Sequence, residues 1–349
     1  MLKFICIFIS VFNVSVFSLT AGGHINQGAD YGKEGTCAYI VSPDTFDREK
    51  FLDPYFLPQL DEVNDKVVLD AGCGPGHWSV RAAQHGAKVY AIDINEKMIA
   101  AATQMVCDSE MANKISLDVG DVASLPYRSD LFDVTLSINV ACNIPSSSVY
   151  SHFKEMHRTL KKGGLSVITV PTSLDVVFTN CETDKKMVLE HVHQVLNDLP
   201  DNPNFSDIYS HLMQLNEVVN ATFAMKNNRL VLITDKNELQ LGQQIWRKLP
   251  ALAVPNYYHT EEEYLSTLNQ LGYKIEKIEH PHFHNETERL QYNAIATEKL
   301  KFGPEYVQQG PYAIYHLRKK DSGTFFTNLF EHLVKRDKVA IAANALKHH

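Results

Sequence analysis

Val67-Val-Leu-Asp-Ala-Gly-Cys-Gly-Pro-Gly76 is the stretch on which the reading of the chain turns. An apolar β-branched run ends in an acid, Asp70, and passes into three alternate glycines, Gly72, Gly74 and Gly76. That is the pattern of a buried parallel strand turning tightly into a helix. Glycine suits such a turn because positive φ costs it little and because the missing Cβ lets a ligand approach the backbone. The spacing is Gly-x-Gly-x-Gly and lacks the third interval of Gly-x-Gly-x-x-Gly, which speaks against a nicotinamide or flavin dinucleotide.

Outward from this turn the chain alternates strand and helix. His77–His85 reads as a helix stopped by Gly86, and Lys88–Ile92 as a second strand ending at Asp93. An acid about 20 residues beyond the glycine turn is where a ribose needs an acceptor, and the capping of the next helix, Glu96–Met105, falls to Asn95. Ile115–Val119 is a third strand, followed by Gly120-Asp121-Val122 and a turn at Leu125-Pro126-Tyr127. Leu131–Ile138 is the fourth, with Ser137–Ala141 at its tip, then a helix Val149–Leu160, a break at Lys161-Lys-Gly-Gly164 and a fifth strand Leu165–Val170. In open sheets of this kind ligands bind at the carboxyl ends of the strands where the order reverses, here between the first and fourth.

With these residues in place, Val67–Gly76 resembles the first motif of class I S-adenosylmethionine-dependent methyltransferases, of the methyltransferase type 11-like kind. The Leu160-Lys-Lys-Gly-Gly-Leu165 break resembles the same family. The resemblance covers Val67–Val170 and Thr260–Leu317. It implies an α/β, doubly wound, mostly parallel seven-stranded sheet, a Rossmann-like fold, and S-adenosyl-L-methionine as cofactor. It further implies that Asp70, Ala71, Gly72, Cys73 and Gly74 face the amino-acid end of the cofactor, so that no pyrophosphate has to be seated. Asp93 and Ile94 then serve the ribose, Asp121 the adenine amine with Val122 reading the ring, and Asn139 lies at the fourth-strand tip beneath the sulfonium.

Methyl transfer from a sulfonium is an in-line displacement whose leaving group the cofactor already carries, so positioning does most of the work. A protonated oxygen or nitrogen acceptor would still want a base. The weak candidates are Tyr31 and His259, in a wider set with Tyr257, Tyr258, His282 and His284. His280-Pro-His282-Phe-His284 with Glu286 is read as a polar strand end and no metal is expected, because three or four ligands must converge in space. Asn143-Ile-Pro145 departs from the Asn-Pro-Pro-aromatic signature of amide- and nucleobase-methylating members, lacks its aromatic and comes too late.

Between Pro171 and Pro255 the alternation stops. Lys186–Leu199, Asp207–Met225 and Lys236–Leu249 read as amphipathic helices and Leu230–Thr234 as a short strand, a helical insertion after the fifth strand that caps the substrate. The pattern resumes with Thr260-Glu-Glu-Glu263, a capping box, then Tyr273–His280 and Tyr312–Leu317 as the last two strands. Before the first strand, 22–45 reads as a flap and Phe46–Leu60 as a helix that Pro54 and Pro58 shorten or kink. The organisation expected is thus a leader at 1–18, a flap and capping helix at 22–66, a core at 67–171 and 256–320, a cap at 172–255 and a tail at 321–349.

The 349 residues carry a net formal charge of −8, which works against nucleic acid, whose binders usually present a basic patch. The partner expected is a small-molecule methyl acceptor. Met1-Leu-Lys3 followed by apolar Phe4–Phe17 predicts a secretory signal peptide cleaved near Ser18, and hence no membrane contact after its removal; the alternative is a cytoplasmic protein. Five cysteines beyond Cys6, and the sequons at Asn204, Asn220 and Asn285, leave the compartment open. The function expected is methyl transfer to an O or N atom of a small molecule. The alternative is a cofactor-binding or degenerate member acting as an interaction protein.

Overall fold

The computed structural model describes residues 52–60, 63–171, 185–201, 203–215, 221–249, 252–283, 285–291, 294 and 312–320. The expected leader and flap, Tyr31, His284 and the tail 321–349 lie outside the described residues. After a helix α1 (Asp53–Leu60) the chain runs β1 (Val67–Ala71), α2 (His77–Gln84), β2 (Lys88–Asp93), α3 (Glu96–Asp108), β3 (Ile115–Val119) and β4 (Phe132–Ile138). It continues through α4 (Ser146–Thr159) and β5 (Leu160–Pro171), and after an insertion through α7 (Glu261–Gln270), β10 (Tyr273–Glu279) and β11 (Tyr312–Lys319).

These strands form one seven-stranded sheet in the order β10-β11-β5-β4-β1-β2-β3. β1 pairs in parallel with both β2 and β4, so the order reverses at β1 and opens a crevice at the carboxyl ends of β1 and β4. β11 runs antiparallel between β5 and β10. Helices cover both faces, which is why Val68–Ala71 is buried without alternation. Phe56, Trp78, Ala82, Val134 and Val167 pack on one face, and Leu69, Phe132, Phe153, Met156 and Tyr273 on the other.

Several boundaries differ from the sequence reading. The described part of the first helix begins at Asp53, and α3 runs on to Asp108. Lys161-Lys-Gly-Gly164 does not separate helix from strand: β5 starts at Leu160 and absorbs these residues in a register shift against Phe132 and Val134 of β4. Gly163, at φ 70, supplies the conformation that this irregularity needs.

The insertion corrects the sequence reading more deeply. Among the described residues are two helices, α5 (Lys185–Asn197) and α6 (Phe205–Gln214), but β6 (Thr222–Lys226), β7 (Arg229–Ile233), β8 (Gln244–Leu249) and β9 (Leu252–Tyr257) form an antiparallel sheet in the order β7-β6-β8-β9. Of the helix expected over Lys236–Leu249 only the 3-10 turn Lys236–Glu238 exists. The reason lies in periodicity. Phe223, Leu230 and Trp246 join the core beneath α5 and α6, whereas Ala224, Ile233 and Ile245 form a second cluster, so side chains of these strands alternate between faces. Asn227 and Asn228, at φ 52 and 60, make the two-residue turn between β6 and β7, a conformation that favours Asn and Gly.

The insertion is seated at the carboxyl end of β4. β9 lies against the 3-10 turn Ala141–Asn143 that follows β4. At Gly242, φ 75, an added Cβ would stand 2.5 Å from Ser146 Oγ, at the start of α4.

The hairpin is open to test. Asn228→Val should destabilise the insertion by about 1–2 kcal/mol, the usual cost of a branched residue in the left-handed region, while Asn228→Gly should leave it unchanged or firmer. Trp246 emission followed through urea unfolding in a Trp78→Phe background reads this directly, and equal midpoints for the two variants would contradict the turn assignment.

Candidate functional site

The glycine turn is held in shape by the strand beside it. Gly72, Gly74 and Gly76 have φ 77, 52 and 90, all in the left-handed region. The Ile92 carbonyl accepts from the N–H groups of Gly72 and Cys73 at 2.7 and 3.0 Å. Asp93 then takes over: its Oδ2 accepts from Gly74 N–H at 2.9 Å, and its Oδ1 from Asn95 N–H at 2.9 Å. A carboxylate oxygen has two lone pairs, so neither bond exhausts its capacity for a ligand hydroxyl. Asn95 also caps α3, its side chain accepting from Lys97 N–H at 2.9 Å. Gly72 is needed for space as well as for φ, since an added Cβ would lie 2.5 Å from a methyl of Val140 at the tip of β4.

Beneath the turn, Asp70 is 1 % exposed. Its Oδ2 accepts from the Ser79 hydroxyl at 2.6 Å. Burial pushes its carboxyl up to about 6; the Ser79 hydrogen bond opposes this and the Asp93 charge adds to it. Burial likewise raises Asp93, against the lowering effect of the Asn95, Gly74 and Ile94 amides. Among the described residues, no cation figures in the groups acting on either acid. The thiol of Cys73, between them, is pushed up by burial and by both carboxylates.

Asp121 and Val122 follow β3 at the same edge. The Asp121 side chain accepts from Ala123 N–H at 2.8 Å, and Gly120 N–H donates to the Asp93 carbonyl at 3.0 Å. Asn139 ends β4 at φ 57, with Thr169 donating to its Oδ1 at 3.0 Å, so its side chain is turned toward β5. The fold therefore brings Asp70, Ala71, Gly72, Cys73, Gly74, Asp93, Ile94, Asp121, Val122 and Asn139 to the carboxyl edge of four neighbouring strands.

The base candidates fare differently. The His259 side chain is 1 % exposed. Its Nδ1 lies 3.1 Å from Glu263 Oε2 and 3.3 Å from Ser146 Oγ, and its Nε2 3.4 Å from the Ile144 carbonyl. Both nitrogens face protein groups, and the ring joins the insertion's exit to the start of α4. Tyr257 is half-buried and burial raises its phenol. His280 is held by both oxygens of Glu261, and among the described residues no three His, Cys, Asp or Glu converge as a metal would need. Sequence reasoning passed over Ser137 and His152, whose hydroxyl and Nε2 meet at 2.9 Å in the interior beside β4.

Residues 68–164 match the family described as methyltransferase domain. Residues 68–164 thus form a methyltransferase domain. S-adenosylmethionine is the cofactor of such domains. Among curated proteins, methyltransferase GfsG of Streptomyces halstedii is 30% identical over 145 residues, 38% of this chain and 51% of that protein. Norajmaline N-methyltransferase of Rauvolfia serpentina is 28% identical over 130 residues, 36% of this chain and 44% of its own length. A tRNA U34 carboxymethyltransferase of Actinobacillus succinogenes is 29% identical over 149 residues, 42% of this chain and 44% of that enzyme. The chain thus spans about half the length of the curated relatives it matches.

The methyltransferase domain's buried acid makes a pH prediction. Asp70 binds its proton more tightly folded than unfolded, so its contribution to stability is full below the ordinary value of 3.8 and is lost as pH rises to about 6. A shift of that size corresponds to about 3 kcal/mol. Asp70→Asn should therefore flatten the decline in unfolding free energy between pH 4 and 6.5, measured by urea titration at each pH, and parallel profiles for the two proteins would refute it.

Proposed function

We propose that the chain is an S-adenosylmethionine-dependent methyltransferase acting on an oxygen or nitrogen atom of a small molecule. The observation that carries this reading is the pair of carboxylates, Asp70 buried and Asp93 half-buried, at a left-handed glycine turn with no cation among the described residues acting on either. Two acids in a poorly solvated place repel each other and favour a ligand bearing positive charge. S-adenosylmethionine, with its ammonium and sulfonium, meets that condition, whereas the pyrophosphate of a dinucleotide would add to the repulsion.

When bound, the cofactor supplies the methyl group together with its leaving group. Asp70 and Gly72–Gly74 would hold its amino-acid end, Asp93 and Ile94 its ribose, and Asp121 and Val122 its base, with Asn139 at the tip of β4. The remaining task of the protein is to hold the acceptor in line and exclude water. β9 and the Gly242 turn, seated over the end of β4, are suited to that. The small acceptor is favoured by the net charge of −8 and by this covered edge. Norajmaline N-methyltransferase fits such an acceptor, and the tRNA-directed relative represents the other class.

Calorimetry tests the reading. S-adenosylhomocysteine should bind with submillimolar affinity and NAD should not, and Asp93→Ala should weaken the former by about 1–3 kcal/mol, the usual cost of lost charged hydrogen bonds. At pH 6 binding should release protons, seen as a dependence of heat on buffer, because a cation drives Asp70 toward its ionised form. Binding of NAD in place of S-adenosylhomocysteine would overturn the assignment. Cofactor binding without turnover on any small or RNA acceptor would favour an interaction protein.

A further inference from the structure

The loop Asp121–Asp130, between β3 and β4, carries the residues assigned to the base, and it is fastened chiefly by one helix. Glu155 Oε2 on α4 accepts from Leu125 N–H at 3.0 Å. Arg158, one turn on, donates through Nη2 to the Leu125 carbonyl at 3.1 Å and through Nη1 to the Tyr127 carbonyl at 2.8 Å and the Ser129 hydroxyl at 3.4 Å. The two side chains brace each other, with Arg158 Nε 2.8 Å from Glu155 Oε1 and Nη2 2.7 Å from Oε2. The Arg158 hydrogen bond is also the main reason the Glu155 carboxyl is held below the usual range. One turn before Glu155, His152 is fully buried and meets Ser137 of β4.

We propose that Glu155 and Arg158 are positioning residues that set how the Asp121–Val122 loop reads the cofactor's base. Their spacing at i and i+3 puts them on one side of α4, facing the loop. Three of the four contacts that Glu155 and Arg158 make with the loop go to main-chain groups, so they fix its path largely whatever its side chains are. They are also charge-assisted, the stronger class. Tyr127, hydrogen-bonded to Asp118 at 2.8 Å and packed edge-on against Tyr90 and Phe132, anchors the far part of the loop independently. Loss of the Glu155–Arg158 brace would therefore loosen the loop without releasing it from the sheet.

This inference rests on the cofactor reading, and the test separates the two. Affinities for S-adenosylhomocysteine and S-inosylhomocysteine, which differ only in the base, would be measured by calorimetry on the full chain. The wild type should prefer the adenosyl ligand by about tenfold or more, the effect of one hydrogen bond to the exocyclic amine. Arg158→Lys keeps the charge but loses the planar fork, and Glu155→Gln removes the acceptor charge; each should shrink the preference to about twofold. Lys154→Gln, on the exposed side of α4, should leave it unchanged. A general loss of folding would weaken both ligands together, so the ratio isolates the positioning role. An unaltered ratio in folded Arg158→Lys and Glu155→Gln overturns the inference alone. A wild type that binds neither ligand overturns the cofactor reading and this inference with it.

Discussion

The carboxylate of Asp93 is the joint on which the ligand edge depends. One oxygen holds the Gly74 amide and the other the Asn95 amide, so the turn after β1 and the helix after β2 are fixed by a single side chain. The strand below contributes the Ile92 carbonyl, which takes two more amides of the same turn. The Asp93 carbonyl in turn receives Gly120, which brings the end of β3 into line. Three strand ends are therefore registered against one residue, and burial of its charge is the cost of that registration. The site is preorganised in the sense that its backbone hydrogen bonds are already made among protein groups.

Much of this edge could be read from sequence because its determinants are local. Three left-handed residues need glycine, a buried strand needs an unbroken apolar run, and an acid at the end of the second strand is displaced from the turn by a fixed interval. The insertion was not legible in the same way. Gln244-Ile-Trp-Arg-Lys-Leu249 contains good helix formers, and its strand conformation comes from partners on β6 and β9 rather than from its own propensity. Asn227-Asn228 was the available signal for a hairpin and was passed over.

Side-chain roles divide along the same line. His259 was a base candidate from its place at the insertion's far end, yet it is held by Glu263 nearby and by Ser146 and Ile144, more than a hundred positions away. Glu155 and Arg158 fell simply within the helix expected over Val149–Leu160. Their partners lie in a loop some thirty residues earlier. Residues whose function is to hold another segment's main chain leave no motif of their own, since any sequence could supply that main chain.

The arrangement of chain ends around the sheet bears on how such a protein diversifies. β5 ends, β10 ends and β11 begins at the carboxyl edge, so the connections that follow Pro171 and Glu279 both leave from the side where the acceptor would be chosen. Lengthening either one leaves the strand pairing of the core untouched. Selection could therefore rewrite acceptor preference by adding or exchanging segments there while the strand ends proposed to hold the cofactor drift slowly. A lineage built this way would keep one recognisable half and show little likeness in the other.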